Sequence, residues 1–422
     1  MMKSFLCASL IVLTVSGLLF SNLYFGTVQA STDVTGILSS DTTWTKANSP
    51  YSLTGPMLVN EGVNLTIEPG VTVNFNEYYI RVNGTLSAIG SSTDPIHFNG
   101  GYIKFTESSN DWNEQTATGS IIENTLSSTA INIEKASPKI DNNVFNGCEI
   151  KIIDGGSPII SHNTLTGGGI SLVCSSSIMP GTIDGSPIIS HNTLSGSGIS
   201  VEGGSISSGF PVISNNRING GDVGIGCNGY ASISDNSISG CTSGIQLYSK
   251  QVFSGSSHAY PIVERNLITH NTRGINIALA SRFDVGTVTP TILNNTISNN
   301  SVGIYVYQSN FGTSPTITYN NIHDNSDYNI QLAEYTENDV NATYNWWGTT
   351  DIQAINQTIF DFKNDFNLGK VNFIPFLSEP NPEEMSTPIP EFPSLNILPL
   401  FLMVTFFAIV IKKRVIHQTD KR

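Results

Sequence analysis

Residues 156–165 read GSPIISHNTL, and residues 185–194 repeat the same ten letters. Related versions of this decapeptide begin at six further positions, namely PKIDNNVF at 138, PVISNNRI at 211, ASISDNSI at 231, PIVERNLI at 261, PTILNNTI at 290 and PTITYNNI at 315. Counted from its proline, or from Ala231 in the copy that lacks one, each copy has an aliphatic residue two positions on, an asparagine five positions on and an apolar residue seven positions on. Repetition at such intervals predicts stacked units, each of which packs on its neighbours.

A column of asparagines follows from this alignment. Its predicted members are spaced by 19 to 30 residues, and they are Asn124, Asn143, Asn163, Asn192, Asn216, Asn236, Asn266, Asn295, Asn320 and Asn345. On coils stacked about 4.8 Å apart, each side-chain amide can hydrogen-bond to the next amide and to turn backbone. We therefore expect a structural asparagine ladder rather than a row of catalytic groups.

A second block follows the decapeptide in nearly every copy. It reads GISL at 169, GISV at 198, GIGC at 224, GIQL at 244, GINI at 274, GIYV at 303 and NIQL at 329. Apolar residues alternate in it with a period of two, which predicts a short strand with one buried face. Leucine-rich repeats have a similar period but need more leucines and a helical stretch in each unit. The pattern therefore favours a parallel β-helix.

Composition and charge restrict the partners of this chain. Only 12% of its 422 residues are charged, and the formal net charge is −14. Nucleic acid is not an expected partner, because phosphate binding requires clustered positive charge. Polyanionic sugars are disfavoured for the same reason, unless a cation bridges them.

Four cysteines lie beyond the first 30 residues, at positions 148, 174, 227 and 241. An even count permits disulfides, but the spacing is not that of a small disulfide framework. Cys227 occupies the position that Leu172 and Val201 hold in their own copies. We therefore expect Cys227 to be a reduced thiol in the core.

Both ends of the chain carry targeting signals. Residues 1–30 have the basic start, apolar run and small residues of a signal peptide. Residues 395–411 are mostly apolar and precede a basic stretch, which predicts a membrane anchor and a cytoplasmic tail over 412–422. The alternative for 395–411 is a buried core helix. Residues 377–394 contain five prolines and are expected to form a stiff spacer. Together, the predicted signal peptide and membrane anchor place the folded part of the chain on the extracellular face of the membrane.

A family resemblance rests on these repeats together with NLTIEPGVTVNF at 64, VNGTLSAIG at 82 and YNWWGTTD at 344. Over residues 51–376 the chain resembles the pectin-lyase-like superfamily, and especially its NosD-like branch. The resemblance implies an all-β, right-handed, single-stranded parallel β-helix of about 12–13 coils. It divides the chain into an N-terminal cap with leader coils (31–118), β-helix repeats (119–345) and a C-terminal cap (346–376). IPEFPS at 389 is similar to the PEF-type sorting signals of archaeal surface proteins.

Coil length varies mainly at one corner, after the GIxL block. Long excursions leave there at 173–186, 202–210, 248–260, 278–289 and 307–314, while the connection at Asn228–Tyr230 is short. We expect the excursions to form one flank, with the short connection as the floor of a cleft. Tyrosines in this region can stack on sugar rings, and the candidate carbohydrate-binding residues are Tyr230, Tyr305, Tyr307 and Tyr328.

Two histidines share one column of the repeat. His162 and His191 could lie about 5 Å apart on adjacent coils and share a metal. The rest of their column is typical of a solvated turn, so an ordinary turn is the competing interpretation. Copper is the metal that the NosD resemblance implies. Calcium is a second possibility, at corners rich in Asp such as HDNSD at 323, where turn-forming Asp is the alternative. We expect no required cofactor.

Enzymes of this fold need compact clusters of acid, base and cation. The coils contain no adjacent Asp pair, no Gly-His-Gly and no Arg-x-Lys. We therefore favour a surface protein that binds polysaccharide or builds the envelope. The alternative is a polysaccharide lyase, hydrolase or epimerase whose acids are spread over the loops. Six sequons make glycosylation another expectation, at Asn64, Asn83, Asn294, Asn299, Asn341 and Asn356.

Overall fold

The computed structural model describes residues 30–173, 185–202, 210–249, 258–279, 287–307 and 314–382. The strands of successive coils pair in parallel and confirm the predicted all-β parallel β-helix. Each repeat coil contributes three strands. The first strands form a fourteen-stranded sheet made of Thr42–Trp44, Asn64–Ile67, Thr85–Ile89, Ile121–Glu123, Lys139–Asp141, Ile159–Ser161, Ile188–Ser190, Val212–Ser214, Ser232–Ser234, Ile262–Glu264, Thr291–Leu293, Thr316–Thr318, Val340–Asn341 and Val371–Asn372.

The second and third strands belong to one 23-stranded sheet. Four long leader strands run through both positions: Thr32–Leu38, Tyr51–Val59, Thr72–Val82 and Ile96–Phe105. The second strands are Thr125–Ser127, Val144–Asn146, Thr164–Thr166, Thr193–Ser195, Arg217–Asn219, Ser237–Ser239, Leu267–Thr269, Thr296–Ser298 and Asn321–His323. The third strands are Ala130–Glu134, Ile150–Ile153, Ile170–Val173, Ile199–Glu202, Val223–Asn228, Ser243–Ser249, Arg273–Leu279, Val302–Val306, Tyr328–Leu332 and Ile359–Phe360. A separate small sheet pairs His258–Ala259 with Thr287–Val288.

The core is a stack of aliphatic side chains along the helix axis. From Ile121–Glu123 to Thr316–Thr318, the middle residue of each first strand is fully buried, as at Ile160, Ile189 and Ile213, which pair in register on successive coils. Strand alternation places every second side chain inside, where burial of each aliphatic side chain contributes roughly 1.5–3 kcal/mol. The period-two pattern of the sequence therefore becomes a continuous hydrophobic interior.

An asparagine ladder lines the corner between the first and second strands. The Nδ2 of each member donates to the Oδ1 of the next, from Asn143 through Asn163, Asn192, Asn216, Asn236, Asn266, Asn295 and Asn320 to Asn345. The backbone N–H of each member donates to the same oxygen, as that of Asn216 does to Asn236. All nine are at most 1% exposed, so this is a fully buried and satisfied polar stack.

The tenth predicted member, Asn124, does not belong to the ladder. Its φ is 54°, and its side chain accepts a hydrogen bond from Asn142, which lies in the column just before the ladder. Thr125 takes the ladder position instead, where its hydroxyl and backbone N–H both donate to Asn143 Oδ1. The prediction was wrong because asparagine is favoured both in the ladder and in the left-handed residue that precedes it.

A second asparagine ladder, which the sequence analysis missed, lies at the corner between the second and third strands. Asn271 Nδ2 donates to Asn300 Oδ1 at 3.1 Å, and Asn300 Nδ2 donates to Asn325 Oδ1 at 3.0 Å. The backbone N–H of Cys241 donates to Asn271 and ends the ladder. Both sharp corners of the later coils are therefore held by stacked amides.

The C-terminal segment continues the coil stack. Residues 346–376, predicted as a cap, contain the helix Ile352–Gln357 and the last strands of two sheets. These strands bring the first-strand ladder to fourteen members, more than the 12–13 coils expected. Trp347 is buried against Phe373, whereas Phe366, which also lies in the predicted cap, is 80% exposed. A short 3₁₀ turn, Lys46–Asn48, lies in the leader coils.

The beginning of the proline-rich segment is docked on the coils. The backbone N–H of Asn381 donates to Asn321 Oδ1 at 2.8 Å, and Asn381 Nδ2 donates to Asn294 Oδ1 at 2.9 Å. Asn381 is 8% exposed. Residues 377–382 are therefore part of the folded body and not of a free spacer.

The predicted signal peptide, anchor and tail lie outside the described residues, apart from Ala30. Within the described part of the chain, no helix has both the length and the apolar character that crossing a membrane requires.

The described cysteines are expected to be unreactive in the folded protein. Cys148, Cys227 and Cys241 are buried free thiols, and burial raises the pKa of Cys227 to about 12 and that of the other two to about 11. Because the thiolate is the nucleophile, we expect iodoacetamide at pH 8 to leave all three unmodified until the chain is unfolded. Peptide mass mapping before and after denaturation measures this, and modification of Cys227 in the native protein would contradict it.

Candidate ligand-binding face

The outer face of the third strands carries a row of polar side chains in register. Ser200, Gly226, Gln246, Asn276 and Tyr305 lie at equivalent positions on five successive coils. Their strand neighbours, such as Ile225 and Cys227, point inward and are fully buried. Alternation along each strand thus gives this face an aligned set of hydrogen-bonding groups outside an aliphatic core.

A depression of about 310 Å³ lies in the middle of this row. It forms at Gly226, which contributes no side chain between Ser200 and Gln246. Its walls also include Glu202 and Tyr248. A Cβ at Gly226 would meet only Val223 at 3.7 Å and Tyr248 at 3.9 Å, which are ordinary contacts. The glycine is therefore not required by packing inside the coil, and its main effect is to leave the depression open.

Tyr248 and Glu202 set the electrostatics of the depression. Burial, together with the charge of Glu202, raises the pKa of Tyr248 to about 12. A hydrogen bond with Ser200 acts in the opposite direction. The phenol is therefore neutral at physiological pH and serves as a hydrogen-bonding and stacking group, because a general base needs a pKa near the working pH.

Two buried acceptors next to the depression have no hydrogen-bond partner. Asn228 is 7% exposed and Asn276 is 6% exposed, and in both the Oδ1 atom is buried and unsatisfied among the described residues. Asn228 pairs in register with Glu202, and Asn276 lies beside Gln246. Buried polar atoms without partners are rare in folded proteins and often mark functional positions. We define Ser200, Glu202, Asn228, Gln246, Tyr248 and Asn276 as the central polar patch.

The four predicted carbohydrate-binding tyrosines do not form one cluster. Tyr305 lies in the polar row, where the guanidinium of Arg273 stacks 3.9 Å from its ring centre. The other three pair with separate aromatic rings, Tyr230 with Tyr260, Tyr307 with Tyr335 and Tyr328 with Phe360.

The predicted loop flank lies mostly outside the described residues, since the third strands end where those excursions begin. The short connection at Asn228–Tyr230 is described, and its first residue belongs to the central polar patch. The expected cleft floor and the observed depression are therefore adjacent.

His162 and His191 are neighbours, as their shared column implies. Their ring centroids are 5.1 Å apart and the planes differ by 22°, so the rings are stacked. Nitrogen lone pairs lie in the ring plane, and stacked rings do not aim them at a common point. His162 Nδ1 is 2.9 Å from Asp141 Oδ1. Burial favours a higher pKa for Asp141, but hydrogen bonds with His162 and Ser161 lower the net pKa below its usual value.

Both histidines have φ between 54° and 58°, in the left-handed corner column. Among the residues that the structure describes, no group of three or more His, Cys, Asp or Glu is placed to hold a metal ion. The repeated histidine of the decapeptide is thus part of a repeated turn, and shared metal binding stays a prediction.

Arg265 is neutralised by two carboxylates of the repeats. Arg265 binds both oxygens of Asp235 at 2.9 Å and contacts Glu264 at 2.9 Å. Among the described residues that line the depression, Glu202 is the only carboxylate and none is Lys, Arg or His. Glycoside hydrolysis requires two carboxylates flanking the bond, and the described lining supplies one.

The six sequons differ in accessibility. Asn64, Asn299, Asn341 and Asn356 are exposed. Asn83 and Asn294 are half-buried, and their Oδ1 atoms accept hydrogen bonds from Thr106 and Asn381 respectively. Glycosylation at all six stays a prediction.

Comparison with known proteins agrees with the geometry. A family model described as a right handed beta helix region matches residues 181–345. A search of curated proteins finds no sequence match. The matched region contains the central polar patch and most of the asparagine ladder. The match and the parallel strand stack together support a right-handed parallel β-helix repeat protein, with a pectin-lyase-like fold that is consistent with polysaccharide-related roles.

Proposed function

We propose that the chain is a polysaccharide-binding β-helix protein of the cell surface, related to the NosD-like branch. The observation that carries this proposal is the depression at Gly226, with Tyr248, Gln246 and two unpartnered buried acceptors around it. Sugars present hydroxyl donors and acceptors around an apolar ring, and amides together with a tyrosine face match both.

The ligand is a neutral glycan in this proposal. Glu202 is the only charged residue in the described lining of the depression, and the whole chain carries a net charge of −14. A polyanionic glycan would be repelled both by Glu202 in the depression and by the net negative charge of the whole protein. Binding through amides and a phenol requires no metal, so chelation with EDTA should leave affinity unchanged.

Anchoring at the extracellular face completes the proposal. The signal peptide over 1–30 would direct export. Residues 395–411 would then hold the protein in the membrane as a helix, either permanently or until the PEF-type sorting signal is cleaved. Envelope components and environmental polysaccharide are the proposed partners. Protease treatment of intact cells tests the location. Because the repeats are proposed to lie outside the cell, we expect the protease to cleave them while the cells remain unbroken.

Filling the depression is expected to abolish glycan recognition. A glycan array identifies the ligand of the purified full-length protein. Gly226→Gln should then lower the affinity for that ligand by at least about tenfold. The matched control is Asn132→Gln, which lies in the same outward row four coils away from Gly226. Equal affinity of both variants and the wild type would refute the site.

Turnover is tested separately. A reducing-end release assay with the ligand from the array should show no product beyond the uncatalysed rate. Product formation that Gly226→Gln removes would replace binding by catalysis as the function of this face, with a lyase or hydrolase as the activity.

A further inference from the structure

We propose a second binding groove, for a neutral oligosaccharide, on the outer face of the first strands in the leader coils. One wall is the segment from Glu107 to Gly119, which we name the leader arm. The groove has a volume of about 460 Å³ and contains Trp112, a size within the usual range of small-ligand sites. It lies on a different sheet from the central polar patch and does not depend on the function proposed for that patch.

The leader arm is tied to the coils on either side of it at Asn110, Asp111 and Trp112. The backbone N–H of Trp112 donates to Ser137 O at 2.8 Å, and Ser137 N donates to the Asp111 carboxylate at 2.8 Å. Asn110 donates to Gly84 O through its backbone and to the Thr85 hydroxyl through Nδ2 at 2.7 Å. A wall held this way requires little ordering when a ligand binds, which favours affinity.

The floor of the groove is a ladder of hydroxyl groups. Thr43, Thr66 and Ser87 pair in register on three successive coils and all line the groove. Neighbouring hydroxyls therefore follow the axis at about 4.8 Å intervals, the spacing of adjacent strands. Such a row offers both donors and acceptors to a chain of sugar hydroxyls.

Trp112 adds the aromatic wall. Its ring is partly exposed, Lys139 Nζ lies 5.5 Å from the ring centre, and Nε1 is buried with no acceptor among the described residues. Lys139 is within 4 Å of the carboxylates of both Glu114 and Asp141, so its charge is compensated. A rigid indole beside uncharged hydroxyls recognises the apolar face and hydroxyl rim of a neutral sugar.

The test uses full-length protein made without N-glycosylation, because the sequon Asn64 lines the groove. Cellohexaose, laminarihexaose and mannohexaose are titrated by calorimetry, with trigalacturonate as the anionic comparison. At least one neutral probe is expected to bind, and Trp112→Ala should weaken it at least about tenfold, whereas Trp112→Phe keeps an aromatic face and stays within about threefold. Circular dichroism checks that each variant is folded.

Two further variants separate this groove from the central polar patch. Thr66→Gln changes an exposed residue of the floor and should also weaken the probe. Gly226→Gln should leave it unchanged. The inference is overturned if no neutral probe binds, if trigalacturonate binds more tightly than all three, or if Trp112→Ala and Thr66→Gln both retain wild-type affinity. If Gly226→Gln abolishes binding of the probe while Trp112→Ala and Thr66→Gln do not, the probe binds at the central polar patch, and the proposed groove is equally overturned.

Discussion

Replacing Asn236 with alanine is expected to lower the free energy of unfolding by about 3–5 kcal/mol, because it leaves several buried partners unpaired at once. Asn236 Oδ1 accepts from the backbone N–H and the Nδ2 of Asn216 at 2.9 and 3.0 Å. Its own Nδ2 donates at 2.9 Å to Ile213 O, Ser234 O and Asn266 Oδ1. The residue is 0% exposed, so water cannot replace these bonds without opening the corner.

The measurement is the urea midpoint together with amide hydrogen exchange in the neighbouring coils. Exchange is needed because long repeat arrays can open locally before they unfold globally. The matched control is Asn146→Ala at an exposed strand position, which should change stability by less than about 0.5 kcal/mol. If both variants unfold at the same midpoint and exchange alike, the ladder is not what stabilises this corner.

The sequence predicted the ladder well because its chemistry demands one residue type. Only an amide both accepts at Oδ1 and donates at Nδ2 along a stack, so the column remains asparagine while its neighbours vary. Asn124 shows the limit of the argument. Two adjacent positions favour asparagine for different reasons, one for hydrogen bonding and one for a left-handed backbone, and residue identity alone does not separate them.

The second ladder was missed although its signal was in the sequence. Asn271, Asn300 and Asn325 are separated by 29 and 25 residues, the same spacings that separate Asn266, Asn295 and Asn320. Glycine, serine or cysteine holds the equivalent position in earlier coils, so no column of one residue type marked it. Its detection required comparing spacings rather than identities.

The binding face was less predictable than the fold. GIQL at 244 shows that Gln246 points outward, but which residue lies beside it depends on the register between coils of unequal length. Tyr248 and the gap at Gly226 become one site only after that register is known. Tyrosines selected by type alone were therefore distributed over separate aromatic pairs.

Phe145→Ala is expected to destabilise the protein by about 3–5 kcal/mol, the usual cost of emptying an aromatic site in a packed core. Phe145 is fully buried and pairs in register with Leu165 on the next coil. The same inward row continues with Leu194 and Ile218. Its neighbours belong to fixed coils, and the ladder at the adjacent corner holds them apart. The cavity should therefore relax little, which places the loss at the upper part of this range.

Phe145→Leu is the matched control, because it gives this coil the residue that the next two coils already have. We expect it to cost less than about 1.5 kcal/mol, since it keeps most of the buried volume. Urea midpoints of the two variants measure the difference. A loss below about 1.5 kcal/mol in the alanine variant would mean that neighbouring coils move together to close the cavity, and the stacked corners would then be more compliant than their hydrogen bonds imply.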